Sequence, residues 1–556
     1  MKQVNLSGTD QKRKSNFVMQ GTILAAAGII VRLIGILYRV PMTNIIGDEG
    51  MGYYSTAFNV YNIMLILSSY SLPVAVSRML SARLAKNEYA NAGRVLKSAL
   101  VYATAAGGMA CAVTWFFADF FATSVFDTPL AVYALRTLAP TIWIMAYLGV
   151  LRGFFQGHGT MIPTAISQIL EQIVNAVVSV VAAGFLFGMG MKTAEALGES
   201  GYAEAYGAAG GTLGTGSGAF AALLFVLAMY FLYRPVFRQR VRKDKSGSRE
   251  SFGQVSRVLL LTVIPVLLSS AVYNINSVID NGIMAHGMRI TGQGNSFLRL
   301  WGIYNNKYML LVHVPLAMAN SLSSSLIPAL SSASSRENTE EMLEKTGLVI
   351  RVAMLIAIPA AVGLTVLAGP VMNLLFRSGS NADGIRMLMV GSAAVVFLSL
   401  STVTNAVLQG LGRMREPVKN AFVSLILHIG VLLVFLFVFR MGIYSMVFAS
   451  IFFAIFMCVL NQISIRRCIP YRQEIRRTFL IPAAASAVMG AAAWIIYQAI
   501  YAAVHSNLMS VAGAVAAAVL VYMAMFFRLG GISEDELHSV RGGTRLLVFA
   551  RKLHLM

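Results

Sequence analysis

Acidic side chains are scarce in this chain: 23 Asp and Glu stand among 556 residues, against 44 Lys and Arg. All charged residues together make up 12%, where roughly 25% is usual in a soluble domain. That shortage excludes an ordinary water-facing surface. Cysteine is rarer still. Cys111, Cys458 and Cys468 are odd in number and lack paired spacing, which argues against a disulfide framework or a metal site. No connection between apolar runs exceeds about 25 residues, too little to bury the core of a separate catalytic domain. Histidine is also sparse, with seven in all. The acidic groups Glu337, Glu340, Glu341, Glu344 and Glu534, Asp535, Glu536 have no histidine ligands beside them except a lone His538. They read as helical surface charge rather than the metal-and-base chemistry of a membrane transferase. Neither enzyme, cofactor nor metal is expected.

What remains is apolar. The chain is 57% hydrophobic with a mean hydropathy of +0.70. A run of about 20 apolar residues crosses a bilayer, and fourteen candidates run from 17–40 to 508–527. The expected fold is therefore an all-α polytopic membrane protein. Lys12-Arg13-Lys14 precedes the first run, but that run is too long for a signal peptide and reads as a retained helix.

Basic residues orient the bundle. With the N-terminus inside, 34 of the 44 Lys and Arg fall in cytoplasmic segments and six in outer loops. Positive residues accumulate on the cytoplasmic side, so both termini are expected in the cytoplasm of a plasma-membrane protein. The four left within spans are Arg32, Arg39, Arg136 and Lys307. A pI near 10 would suggest nucleic acid in a soluble protein. Here the basic runs 234–249 and 466–477 meet anionic lipid headgroups instead.

The sequence also repeats itself. Gln156-Gly157-His158-Gly159-Thr160-Met161 returns as Gln409-Gly410-Leu411-Gly412-Arg413-Met414, 253 residues later. Leu72-Pro73 echoes Ile327-Pro328 at 255, and Leu135-Arg136-x-Leu138 echoes Ile385-Arg386-x-Leu388 at 250. A unit of six spans inserts twice in one orientation, giving two parallel lobes with a substrate site between them. The expected division is a first six-helix lobe over 1–240, a second over 241–470, and two further helices with a cytoplasmic tail over 471–556. A linker lies around Gly247 and Ser248. Gly157, Gly159, Gly410 and Gly412 make tight inter-helix turns and are candidate hinges.

Polar residues at helical spacing mark a wet or partner-facing side. Run five carries Ser167, Gln168, Glu171, Gln172, Asn175 and Ser179. Run seven carries Ser269, Ser270, Tyr273, Asn274, Ser277, Asp280 and Asn281, and run two Ser55, Asn59, Asn62 and Ser69. Bonding between helices accounts for some of them. Arg32 and Arg39 stand seven residues apart on one helical face, and a cation at membrane depth usually faces a cavity. Arg32 is the better cavity candidate, because Arg39 is close enough to the run's end to reach the interface. Gly28 and Gly35 beside Arg32 leave room for a headgroup or for close helix packing. Substrate-binding candidates are Arg32, Arg39, Lys307, Asn59, Gln168 and Asn274. Glu171 and Asp280, the two span carboxylates, are candidates for cation coupling, or else they neutralise nearby Arg or Lys. Pro265, Pro315, Pro359 and Pro370 could bend helices of the second lobe.

Arg32-x-x-Gly35, Gly47-Asp48-x-Gly50, Leu151-Arg152-Gly153-x-x-Gln156-Gly157, Ile358-Pro359-Ala360 and the tail Ile532-Ser533-Glu534-Asp535-Glu536-Leu537 together resemble a known family. It is the stage V sporulation protein B and lipid II flippase branch of the multidrug/oligosaccharidyl-lipid/polysaccharide exporter superfamily. The resemblance spans the chain. It implies a fourteen-helix flippase that moves undecaprenyl-pyrophosphate-linked sugars by alternating access, for peptidoglycan, polysaccharide or spore cell-wall synthesis. The last two helices would form a lipid-tail groove. The chain departs from the pattern where Tyr38 stands at the family's second arginine, with Arg39 following, and Lys307 is the cation of run eight. Arginine suits phosphate because its planar fork binds bidentately and stays charged. Implied partners are the lipid-linked sugar pyrophosphate, anionic lipids, and a monovalent cation or the membrane potential. The main rival is a cation-coupled multidrug exporter of the same superfamily, which would want a carboxylate-dominated cavity. Span cations here outnumber span acids four to two.

Overall fold

An apolar run in a bilayer has no water to bond its backbone, so its amides and carbonyls pair within the run and the chain coils into helix. The computed structural model describes residues 7–244, 250–377 and 379–531, and among these it contains helices and turns with no strand. The tail motif 532–537 and the linker residues Gly247 and Ser248 lie outside the described residues, as do the side chains of Pro265, Ser269, Ser270, Tyr273 and Pro328.

The chain opens with α1 (Ser7–Leu65), which breaks at Gly47, where φ is 70° and ψ −178°. No helix contains that pair of angles, and only glycine adopts it without strain. A single π turn leads to α2 (Leu72–Ala85), followed by α3 (Tyr89–Tyr102), α4 (Gly108–Phe116) and the one-turn α5 (Ala118–Phe120). Three long helices come next, α6 (Val132–Gly157), α7 (Ile162–Leu197) and α8 (Tyr202–Arg242), and then α9 (Phe252–Ile290). The rest is α10 (Gly294–Ile303), α11 (Met309–Ser335), α12 (Thr339–Val366), α13 (Ala368–Leu375), α14 (Ala382–Gly391) and α15 (Ala393–Gly410). It ends with α16 (Arg415–Leu433), α17 (Tyr444–Cys468), α18 (Ile481–Val504) and α19 (Asn507–Arg528).

Twelve stretches among the described residues are long and apolar enough to cross a membrane. The first, Ala26–Ala85, joins two of the fourteen expected runs across Gly47. The seventh expected run, in α9, enters only as the shorter apolar piece Phe252–Ile264.

By internal packing the chain forms two units. One is Met1–His286 with Gly294–Gly302; the other is Gly287–Gln293 with Ile303–Met556. Repeat copies and packing units measure different things, and α9, counted from sequence with the second copy, packs up to His286 in the first unit. A clamp holds its start there. Arg83 of α2 pairs with Glu250 at 2.6 Å, the Glu250 amide donates to Asn91 at 3.1 Å, and the Ser98 and Ser256 hydroxyls are 2.8 Å apart.

Within the first unit α7 and α8 lie backbone to backbone. Gly210, Gly214 and Gly218 recur every four residues on α8, and a Cβ at each would collide with α7 at Ala182, Ser179 and the Glu171 carbonyl. Small residues at this spacing allow the close approach that drives helix association in lipid. Gly214→Val should therefore cost about 2–3 kcal/mol through overpacking and lower the melting temperature in detergent. Gly188→Ala, where an added Cβ meets nothing within 4 Å, should leave it within error. Equal melting of the two variants would refute the packing role.

Candidate functional site

The repeated turn takes one conformation in both copies. In the first unit the Gly159 amide donates to the Gln156 carbonyl at 2.9 Å and Thr160 to Phe155 at 3.2 Å. In the second, Gly412 donates to Gln409 at 3.0 Å and Arg413 to Leu408 at 2.9 Å. Gly159 and Gly412 sit at φ +80° and +76°, the left-handed geometry that ends a helix at glycine. The first glycine of each pair serves packing instead. A Cβ on Gly157 would come within 2.7 Å of Leu80, and one on Gly410 within 2.9 Å of Leu330.

Leu80 and Leu330 are 250 residues apart, as are Asn87 and Glu337, both of which have positive φ at the ends of α2 and α11. Pro73 precedes Leu80 by seven residues, whereas Pro328 precedes Leu330 by two. The Leu72-Pro73 and Ile327-Pro328 echo is thus a likeness of letters at inequivalent positions. The offset grows to 253 by Gly157 and Gly410; α6 is continuous, while the second copy is interrupted at Ser392 between α14 and α15.

Just before the first turn, past the end of the apolar run, sits a charged group that hydropathy alone does not mark. Arg152, 8% exposed, reaches from α6 to Glu171 of α7 at 2.8 Å, and its Nε donates to Ser167 at 2.9 Å. Adding 253 to each position gives Asn405, Asn420 and Ser424. In the second unit Asn461 donates to Asn405 at 2.8 Å, and Asn420 donates to Asn461 at 2.9 Å and to Ser464 at 3.1 Å. The first copy joins α6 to α7 directly with an ion pair, whereas in the second α15 and α16 each bond through neutral amides to Asn461 of α17. The repeat offset was the signal that could have singled out Arg152.

Much of the α7 polar stripe is spent on neighbours. Ser179 donates to Asn175 and to the Gly211 carbonyl, each at 2.8 Å. Gln168 and Gln172 are half-buried, and Gly35 of α1 faces the Gln172 amide oxygen, 4.0 Å from where a Cβ would stand. Arg32 lies one turn before Gly35 on the same face of α1, next to the open space around Gly28. It is exposed and makes no hydrogen bond or ion pair among the described residues.

The other three span cations are engaged. Arg39 is half-buried with Tyr38 and Tyr54 as polar neighbours, and those two hydroxyls are 3.2 Å apart. Arg136 pairs with Asp119 at 2.7 Å. Lys307 is 0% exposed, donates to Asn381 at 2.9 Å and lies 5.4 Å from the centre of the Phe376 ring. Asn59 of α1 has a buried amide nitrogen with no partner. On α9, Asn274 is exposed, Asp280 is 1% exposed, and Asn281 reaches Thr56 at 3.5 Å. The first unit therefore gathers Arg32, Arg39, Asn59, Gln168, Glu171, Asn274 and Asp280, while Lys307 belongs to the second.

Removing one partner of a buried ion pair leaves the other charge uncompensated. Glu171→Gln should destabilise the protein by about 1–3 kcal/mol, read as a lower melting temperature in detergent. The double change Arg152→Gln with Glu171→Gln removes both charges together and should recover part of the loss. A Glu171→Gln protein that melts like the parent would show that the pair holds nothing together.

Residues 18–334 match the family described as polysaccharide biosynthesis protein. Stage V sporulation protein B of Bacillus subtilis (strain 168) is 25% identical over 536 residues, 96% of this chain and 99% of that protein. Lipid II flippase MurJ of the same organism is 26% identical over 434 residues, covering 75% of this chain and 76% of that one. A solved structure of lipid II flippase MurJ in an inward closed conformation has a TM-score of 0.65 at 14% identity, covering 91% of this chain and 98% of the other, which is a likeness of fold. Both proteins that name the branch the motifs resemble appear among these relatives. The chain is a multi-pass membrane protein that belongs to the polysaccharide biosynthesis protein family.

Proposed function

We propose that this protein flips an undecaprenyl-pyrophosphate-linked sugar, lipid II or a related cell-wall precursor, from the inner to the outer leaflet by alternating access. The observation that carries the reading is Arg32, an exposed and unpartnered guanidinium on a span whose same face meets the polar stripe of α7. A buried cation with its charge already balanced would say little. An open one needs an anion, and a pyrophosphate is the anion a guanidinium binds bidentately. Asn59, Gln168 and Asn274 suit sugar hydroxyls, while the polyprenyl chain stays in lipid. The relative named a lipid II flippase supports the same substrate class.

In this scheme the chain makes fourteen spans with both termini cytoplasmic, in lobes 1–240 and 241–470 plus the pair within 471–556. The turns at Gly157, Gly159, Gly410 and Gly412 are the hinge candidates. Glu171 is held by Arg152; Asp280, 1% exposed, is the other candidate carboxylate to couple a monovalent cation. The membrane potential acting on the cationic face is the other source of drive. A multidrug exporter of the same superfamily would export organic cations and be indifferent to the loss of Arg32.

Two experiments test the scheme. In vesicles carrying a lipid-linked sugar, Arg32→Ala should abolish flipping at normal membrane abundance, and Arg32→Lys should keep part of it, since an ammonium retains charge without the fork. Wild-type transport by Arg32→Ala would remove the phosphate clamp, and rescue of drug efflux without flipping would favour the exporter. For orientation, in a background lacking the three native cysteines, Glu199→Cys should react with an impermeant thiol reagent on intact cells and Lys243→Cys should not. Labelling at Lys243→Cys would overturn the topology.

A further inference from the structure

The second unit contains a pocket of about 690 Å³ that the transport scheme does not use. It opens between the start of α12, the segment 470–482 that leads into α18, and the end of α19. Its wall is divided by chemistry. Leu348, Leu355 and Phe526 form an apolar side, and the Tyr522 hydroxyl closes it by donating to the Leu355 carbonyl at 3.0 Å. Arg351, Arg472 and Arg477 line the other side.

The three arginines are not equivalent. Arg351 donates to Glu474 at 2.7 Å, so its charge is largely spent. Arg472 and Arg477 are exposed and make no hydrogen bond or ion pair among the described residues. Glu344, the remaining acid of the wall, leaves the lining net positive. Ile475 and Leu480 on the same segment are 63% and 60% exposed, so this stretch presents apolar side chains beside its basic ones, as an interfacial segment does. Apolar wall, open guanidiniums and a volume within the range of small-molecule sites coincide at one end of the helices. Basic pockets between transmembrane helices bind the headgroups of anionic lipids.

We propose that this pocket binds an anionic glycerophospholipid of the bilayer, its phosphate on Arg472 and Arg477 and its acyl chain along Leu348, Leu355 and Phe526. The site does not include Arg32, and the proposal stands whether or not the protein flips a lipid-linked sugar. The chemistry required is a phosphate on a lipid chain, which a polyprenyl phosphate also offers. The test must therefore tell the two apart. Phosphate discrimination comes from the unpaired arginines, and the chain contacts alone would accept any lipid.

The probe is tryptophan fluorescence of full-length Leu348→Trp in phosphatidylcholine nanodiscs, read as the difference from the parent protein. Brominated phosphatidylglycerol should quench it at a mole fraction roughly tenfold lower than brominated phosphatidylcholine, on the basis of the attraction of two basic residues for an anionic lipid. Arg472→Ala with Arg477→Ala should abolish that preference, and the paired lysine changes should keep most of it. Arg238→Ala with Arg242→Ala, a basic surface of α8 elsewhere, should leave it intact. If the double alanine protein does not fold, each single alanine change should lose part of the preference. Equal quenching by the two lipids, or a preference that survives the alanine changes, would overturn the proposal and leave these arginines as topology determinants. Quenching by phosphatidylglycerol that a trace of undecaprenyl phosphate abolishes would overturn it in favour of the polyprenyl lipid.

Discussion

A backbone group or a charge inside hydrocarbon has nothing to bond with unless the protein supplies it, and nearly every feature of this molecule follows from that constraint. Helix is the form that satisfies each span from within. Helices so satisfied have little hydrophobic reason to associate, because lipid tails are as apolar as their own side chains. Contact must come from close packing and from polar groups turned inward. The glycines of α8, which leave no room for a Cβ against α7, supply the first. The Ser179, Asn175 and Gly211 bonds supply the second.

The same constraint sets the fate of charge. Arg152 and Glu171 share one near-buried site and cancel, Lys307 is enclosed with Asn381 and Phe376, and Arg136 meets Asp119. Against that background Arg32, exposed and without a partner among the described residues, is the exception. The repeat sharpens the point. Where the first copy holds the Arg152 ion pair, the second holds a network of asparagines with no formal charge. The two copies share a turn and its hydrogen bonds but not their electrostatics.

Some of this was legible before any coordinates. The helical, membrane-spanning class followed from long apolar runs and few charges. The Gln-Gly-x-Gly turns were visible as a repeat, and their geometry is the same in both copies because each needs one glycine for a left-handed residue and one for a leucine at van der Waals distance. The Leu-Pro echo matched in letters and failed in position, since a two-residue likeness recurs by chance more easily than four identities in six positions. Arg152 escapes the apolar pattern because hydropathy marks where a span ends and not which way a side chain near its end turns.

The sequence by itself determined that the chain lives in a bilayer, that one turn motif recurs in it, and which few ionisable residues must be accommodated at depth. These are properties of composition and spacing, and the cost of exposing polar groups to lipid enforces them residue by residue. Only the tertiary structure decided which ionisable residues are accommodated by one another. Glu171 and Arg152 are 19 positions apart in the chain and 2.8 Å apart in space, and Lys307 and Asn381 are 74 positions apart and 2.9 Å apart. Periodicity places a residue on a face of its own helix. The helix that faces it, and so the charge or amide that meets it, is chosen by packing between segments distant along the chain.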